Sequence, residues 1–221
     1  MGFYDPNNFA VFMGQMLQGA MLTLAYFGIT LVLSLPLGLF VAFGKMSKFK
    51  PLSWFMSGFI YLFRGTPLLL QVFFFYFGII LIGIQMGPTG RYIGPAIAFV
   101  LNYAAYFAEI YRGGIQSIPR GQYEAAHVLG LSKRQTFIKI IFPQVIKTIY
   151  PSVVNEVITL VKDTALISGV GLYEILKTST AAVNTFSIVT PLLVAFIFYL
   201  VLNSLFTFIL NKAEKKFAYY K

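Results

Sequence analysis

Long apolar stretches alternate with short basic or Gly/Pro-rich segments along this chain. No charged residue occurs between positions 6 and 44. A helix rises about 1.5 Å per residue and a bilayer's hydrocarbon core is about 30 Å thick, so roughly 20 apolar residues suffice to cross it. On that measure five spans are expected, at 17–43, 58–84, 92–110, 148–170 and 187–210. The second is interrupted by Arg64 and Pro67. The fourth carries Glu156, Lys162 and Asp163. A polar segment at 112–147 separates spans three and four. The pattern predicts an all-α, polytopic membrane protein forming a single transmembrane domain over residues 1–221.

Composition agrees with this class. Hydrophobic residues make up 58% and charged residues 11% of 221 residues, with a mean hydropathy of +0.77. A soluble domain has about a quarter of its residues charged, and a chain this short cannot bury so much apolar surface in its own core. There is no cysteine, which excludes disulfides and thiolate metal sites. The net charge of +10 would suggest nucleic acid in a soluble protein. Here the basic residues sit between apolar runs, so they read as topology and no nucleic-acid partner is expected. Lys and Arg mark the cytoplasmic side. Lys45, Lys48 and Lys50 follow span one, Arg120, Lys133, Arg134 and Lys139 follow span three, and Lys212, Lys215, Lys216 and Lys221 follow span five. The alternation fits an N-terminus outside and a C-terminus inside. The first residues have no basic n-region or cleavage site, and Pro6 stands where a myristoylation signal needs Ser or Thr, so neither a signal peptide nor a lipid anchor is expected.

The segment between spans three and four is the most patterned part of the chain. Pro119 and Gly121 break the helix of span three. Good helix formers run from Gln122, Gly130 is placed as a C-terminal stop, and Ser132 is placed to cap a second helix beginning near Lys133. This short helix, turn and helix lead to Pro143.

Within it, Glu124, Ala125 and Ala126 are followed by three residues, Gly130, nine residues, Ile140, one residue, and Phe142–Pro143. This spacing resembles the "EAA" loop of permease subunits in binding-protein-dependent ABC importers, with Phe142 where that family usually has Leu. The stretches at 63–71 (Phe-Arg-Gly-Thr-Pro-Leu-Leu-Leu-Gln) and 108–118 (Ala-Glu-Ile-Tyr-Arg-Gly-Gly-Ile-Gln-Ser-Ile) look like the polar amino acid branch, which serves histidine, glutamine and arginine. The resemblance implies a type I importer fold with a cytoplasmic coupling helix. It implies two permease subunits, identical or related, forming the pathway, two separate ATPase subunits that hold ATP and Mg, and an extracytoplasmic binding protein. The prokaryotic inner membrane is the implied location. The chain itself has no G-x-x-x-x-G-K-[ST] phosphate loop, so no cofactor is expected on it. In this frame Ala125 and Ala126 let an ATPase approach closely, Glu124 pairs with a basic residue of it, and Gly130 permits the turn.

Charges inside a bilayer are costly and are functional candidates by default. In span four, Asn155 and Thr159 lie four apart, and Glu156 and Asp163 seven apart, each pair on one helix face. Glu156 and Asp163, with Asn155 and Thr159 nearby, are candidates to line the pathway, and two carboxylates suit a cationic amino acid such as arginine, lysine or histidine. Arg64 is a candidate for the substrate's own carboxylate, which its planar fork fits. A structural alternative stands beside each: Asp163 paired with Lys162 or Arg64, and Glu109 paired with Arg112. His127 is the single histidine and reads as a surface residue, so no metal site is expected. The aromatic run at 73–77 reads as lipid-facing and packing surface, with stacking on substrate as the other possibility. Ala104 and Ala108 form a weak small-xxx-small pair.

Two other classes fit the sequence less well. An ATP-independent channel or secondary carrier keeps the spans but gives no reason for the spacing from Glu124 to Pro143, and the chain shows no internal repeat of the kind common in carriers. An enzyme would need nucleophile or metal motifs that this sequence lacks.

Overall fold

The structure is a computed structural model and describes residues 2–81 and 90–217. Among these residues every regular element is helical. The helices are α1 (Pro6–Lys45), α2 (Lys50–Gly65), α3 (Leu68–Leu81), α4 (Gly90–Ser117), α5 (Arg120–Val128), α6 (Lys133–Gln135), α7 (Phe142–Asp163), α8 (Ile175–Phe186) and α9 (Thr190–Phe217). A π-turn at Thr136–Ile141 joins α6 to α7, and a 3-10 turn at Thr164–Val170 ends α7. Among the described residues four helices are long and apolar enough to cross a membrane, or five if the bent α2–α3 pair is one span.

The boundaries differ from the sequence expectation in informative ways. Asp5 caps α1 by accepting from the Asn7 amide, and Pro6 occupies the first helical turn, where its missing N–H costs nothing. At 40 residues α1 is about 60 Å long, twice a bilayer's hydrocarbon thickness. The second span is not one rod. Thr66 precedes Pro67 and is therefore driven to extended backbone, and α2 and α3 meet there at 106°. Residues 82–84 of that expected span lie outside the described residues, and Arg91, expected in a loop, opens α4. The segment at 112–147 is mostly helix: α4 continues to Ser117, then come α5 and a helix that runs without a break from Lys133 to Val170. Helix α8 had no counterpart in the apolar pattern. Its 12 residues are too few to cross a bilayer and include buried Thr178 and Ser179.

Packing centres on α4. Its small residues lie against α1, where a Cβ on Gly38 would come within 2.9 Å of the Ala104 carbonyl oxygen. Ala104 and Ala108 are fully buried, so the small-xxx-small pair is a close helix contact. A core of Tyr26, Phe99, Tyr103, Phe107, Leu160 and Ile167 ties α1, α4, α7 and the 3-10 turn together. In the aromatic run, Phe73, Phe75 and Tyr76 pack against this core while Phe74 and Phe77 are exposed. The outer face of α9 exposes Leu193, Phe196, Val201 and Phe208, an apolar surface suited to lipid.

Candidate functional site

The bend between α2 and α3 leaves the last carbonyls of α2 without helical partners, deep in the bundle. Two buried amides supply them. The Gln71 Nε2 group donates to the Phe63 carbonyl at 2.9 Å and to Thr66 Oγ1 at 2.8 Å. Asn102 Nδ2 on α4 donates to the same Phe63 carbonyl at 2.8 Å and to Gln71 Oε1 at 3.0 Å. Unsatisfied backbone groups at membrane depth cost several kcal/mol, so this network is what allows an irregular elbow there. Asn102 is a polar residue within the apolar stretch 92–110. Gln71 stood in the 63–71 stretch, but its role needed the bend to be seen.

A cavity of about 460 Å³ opens beside the elbow, within the usual size of small-molecule sites. Arg64, Gly65, Thr66, Pro67 and Leu68 line it from the elbow, Asn102, Tyr103 and Tyr106 from α4, and Glu156, Thr159 and Asp163 from α7. The three α7 residues are spaced i, i+3 and i+7, so one helix face presents them together. Four of the five expected pathway residues thus share one cavity. Asn155 does not. It shares a helix face with Thr159 but sits at the edge of that face, exposed and outside the cavity lining. Tyr103 and Tyr106 were not anticipated; their positions on α4 gave no polar signal among so many aromatics.

The hydrogen bonds separate the charged groups into two sets. Tyr103 Oη donates to Asp163 Oδ2 at 2.8 Å, so the partner of Asp163 is a phenol, neither Lys162 nor Arg64. Glu109 lies outside the cavity. It accepts from Arg112 Nη2 at 2.6 Å and from Nε at 3.2 Å, and from Lys45 of α1. Its pairing with Arg112 is therefore present and is joined by an inter-helix bridge. Arg64 Nη1 is 3.9 Å from Glu109 Oε2, and its guanidinium lies over the Tyr106 ring at 5.0 Å from the centroid.

The second candidate surface is α5 and the turn after it. Gly130 has φ of +72°, and the Leu131 amide donates to the Ala126 carbonyl while the Gly130 amide donates to His127, a Schellman ending. Ser132 and Gln135 then form a reciprocal capping box that starts α6. Glu124, Ala125 and Gly130 face outward, whereas Ala126 is 3% exposed and turned into the chain's own fold. Ala126 is therefore not surface for a partner. Val128 and Leu129, 86% and 76% exposed, are the apolar groups this helix end presents instead, with Tyr123 beside them. His127 is exposed, and among the described residues no cluster of His, Asp and Glu suits a metal ion.

Comparison with known proteins fits this architecture. Residues 34–219 match the family described as binding-protein-dependent transport system inner membrane component. The chain is 36% identical over 202 residues to the arginine transport system permease protein ArtQ of Bacillus subtilis (strain 168), covering 90% of this chain and 91% of that protein. It is 36% identical over 201 residues, with the same coverage, to the putative glutamine transport system permease protein GlnP of Rickettsia conorii (strain ATCC VR-613 / Malish 7). Among solved structures, a chain of an amino acid ABC transporter crystallised with histidines superposes with a TM-score of 0.86 at 30% identity, covering 96% of this chain and 98% of that one. The MetNI methionine ABC transporter, at 18% identity and a TM-score of 0.72, shares the fold. With the elbow, the crossing helices and the match over most of its length, this chain belongs to the inner membrane components of binding-protein-dependent ABC transport systems, as a multi-pass permease subunit and not an enzyme.

Proposed function

We propose that this permease imports amino acids with a cationic side chain, and that the substrate rests in the elbow cavity during alternating access. The observation that carries this is the charge of the lining: two carboxylates, Glu156 and Asp163, and one guanidinium, Arg64. A cationic amino acid brings two positive groups and one carboxylate, the complement of that set. Arg64 takes the α-carboxylate, for which its fork is suited. Glu156 and Asp163 take the ammonium and the cationic side chain, and Thr159 adds a hydroxyl. The arginine relative supports this class. A neutral substrate is the second reading, favoured by the glutamine relative. Asp163 already accepts from Tyr103, and a zwitterion needs only Arg64 and one carboxylate.

In the same proposal α5 is the coupling helix. Glu124, Ala125, Val128 and Leu129 face one of two ATPase subunits, which hold ATP and Mg. A second permease, identical or related, completes the pathway, and a binding protein delivers substrate from outside. The N-terminus lies outside and the C-terminus in the cytoplasm of a prokaryote, as the Lys and Arg distribution supports.

The test is Glu156→Gln in the assembled transporter. Removing one partner of a desolvated charge pair costs about 2–5 kcal/mol. Arginine binding to the complex in lipid should weaken by at least about tenfold, with assembly unchanged. Unaltered arginine binding would remove Glu156 from the site.

A further inference from the structure

The elbow cavity does not end at Arg64. A neighbouring cavity of about 440 Å³ is lined by Lys45, Ser57, Ile60, Tyr61 and Glu109, and it shares Arg64, Gly65 and Tyr106 with the first. Arg64 is therefore part of a common wall, with Glu156 and Asp163 on one side and Glu109 on the other. A long, flexible side chain in that position has two acidic targets. Its contacts decide whether its donors are placed for a substrate carboxylate.

Two features of the structure answer this. Glu109 is already hydrogen-bonded to Lys45 and Arg112, and its 3.9 Å separation from Arg64 is an ion pair beyond hydrogen-bond reach. Among the described residues no hydrogen bond occupies the N–H groups of Arg64. Its aromatic contact is the Tyr106 ring, with the guanidinium carbon over it at 5.0 Å from the centroid. A cation–π contact with an aromatic ring restrains a guanidinium without using up its five N–H donors in hydrogen bonds. Tyr106 is itself held: its ring is 6.4 Å from that of Tyr103, which is buried and stacked on Phe99.

We propose that Tyr106 is a positioning residue that holds the Arg64 guanidinium at the wall of the elbow cavity and so sets recognition of the substrate's α-carboxylate. This rests on the assignment of Arg64 to the carboxylate made above. The working element is the aromatic face and not the phenol hydroxyl, because no hydrogen bond joins the hydroxyl to Arg64.

The experiment measures equilibrium binding of arginine and of argininamide, which lacks the carboxylate, to the permease–ATPase complex in lipid nanodiscs. Glutamine and its α-amide are run in parallel. The ratio of the two affinities reports carboxylate recognition alone, and a general disturbance of the cavity would weaken both ligands together. Wild type prefers the free acid. Tyr106→Leu lowers this preference about fivefold, and Tyr106→Phe keeps it, as a cation–π contact requires. In an Arg64→Ala background, Tyr106→Leu has no further effect on the ratio. If Arg64→Ala itself leaves the ratio unchanged, the carboxylate assignment of Arg64 falls, and this proposal with it. If Arg64→Ala abolishes the preference while Tyr106→Leu retains it, or Tyr106→Phe loses it, Arg64 keeps its role and Tyr106 is overturned alone.

Discussion

At the scale of the residue, the site depends on side chains that carry no charge. Asn102 and Gln71 are buried, and each gives its amide to a helix end that the bilayer would otherwise leave unsatisfied. Replacing Asn102 by Leu would keep the branched shape of the side chain and remove two hydrogen bonds, leaving Gln71 Oε1 without this donor. Losing such a pair costs about 1–2 kcal/mol, and the elbow it supports also carries Arg64, Thr66 and Pro67 into the cavity. The expected outcome for Asn102→Leu is a lower unfolding temperature of the purified complex together with weaker substrate binding. An unchanged melt with unchanged binding would show that the elbow holds without Asn102. The charged residues were legible in the sequence because ionisable groups within apolar spans are conspicuous. Their division into sets was not, because Tyr103 and Tyr106 resemble every other aromatic in an apolar chain until the helices are packed.

Helix periodicity explains most of what could be read at the scale of the element, and its limits explain the rest. The seven-residue spacing of Glu156 and Asp163 puts that pair on one face, and the structure gathers both, with Thr159, in one cavity. Asn155 lies about 40° from Thr159 by the same periodicity yet is exposed and outside the cavity lining, so its exclusion follows from packing and not from spacing. Gly130 and Ser132 announced the end of α5 and the start of α6, since a left-handed C-terminus and a side-chain cap have specific residue requirements. Two features were hidden. Pro67 was seen as an interruption, but a bend of 106° depends on what receives the freed carbonyls, which lies on another helix. Helix α8 is stabilised by Glu174, which caps it by accepting from the Leu176 and Lys177 amides and also accepts from Tyr199 of α9. That is a tertiary arrangement without an apolar signature. Close helix contacts give a further prediction. Gly38→Leu places a side chain where even a Cβ meets the Ala104 carbonyl, whereas Gly28 faces open space. Size-exclusion chromatography of the assembled complex should show loss of assembly for Gly38→Leu and normal assembly for Gly28→Leu. Normal assembly of both would mean that α1 and α4 do not need their close approach.

The whole molecule joins an apolar exterior to a polar interior position. Exposed Leu, Phe and Val residues cover α9 and much of α1, which water would not support in a chain of 221 residues. Against that background Arg64, Glu156 and Asp163 form a charged cavity lining beside a bent helix pair, the position proposed above for a hydrophilic solute. Helix α5, with Glu124, Ala125 and the exposed Val128 and Leu129, is a separate surface connected to that cavity through the continuous helix from Lys133 to Val170. This connection gives a physical route by which a partner acting on α5 and a substrate in the cavity bias the same two-state equilibrium, each through its differential affinity for the two states.

The most direct test of the central claim is ATP hydrolysis by the complex of this permease with its ATPase subunits in lipid, with the cognate binding protein and a panel of amino acids. The predicted result is stimulation by arginine, lysine or histidine that Glu156→Gln diminishes. Stimulation by glutamine alone, insensitive to Glu156, would contradict the cationic assignment of the elbow cavity while leaving the importer in place.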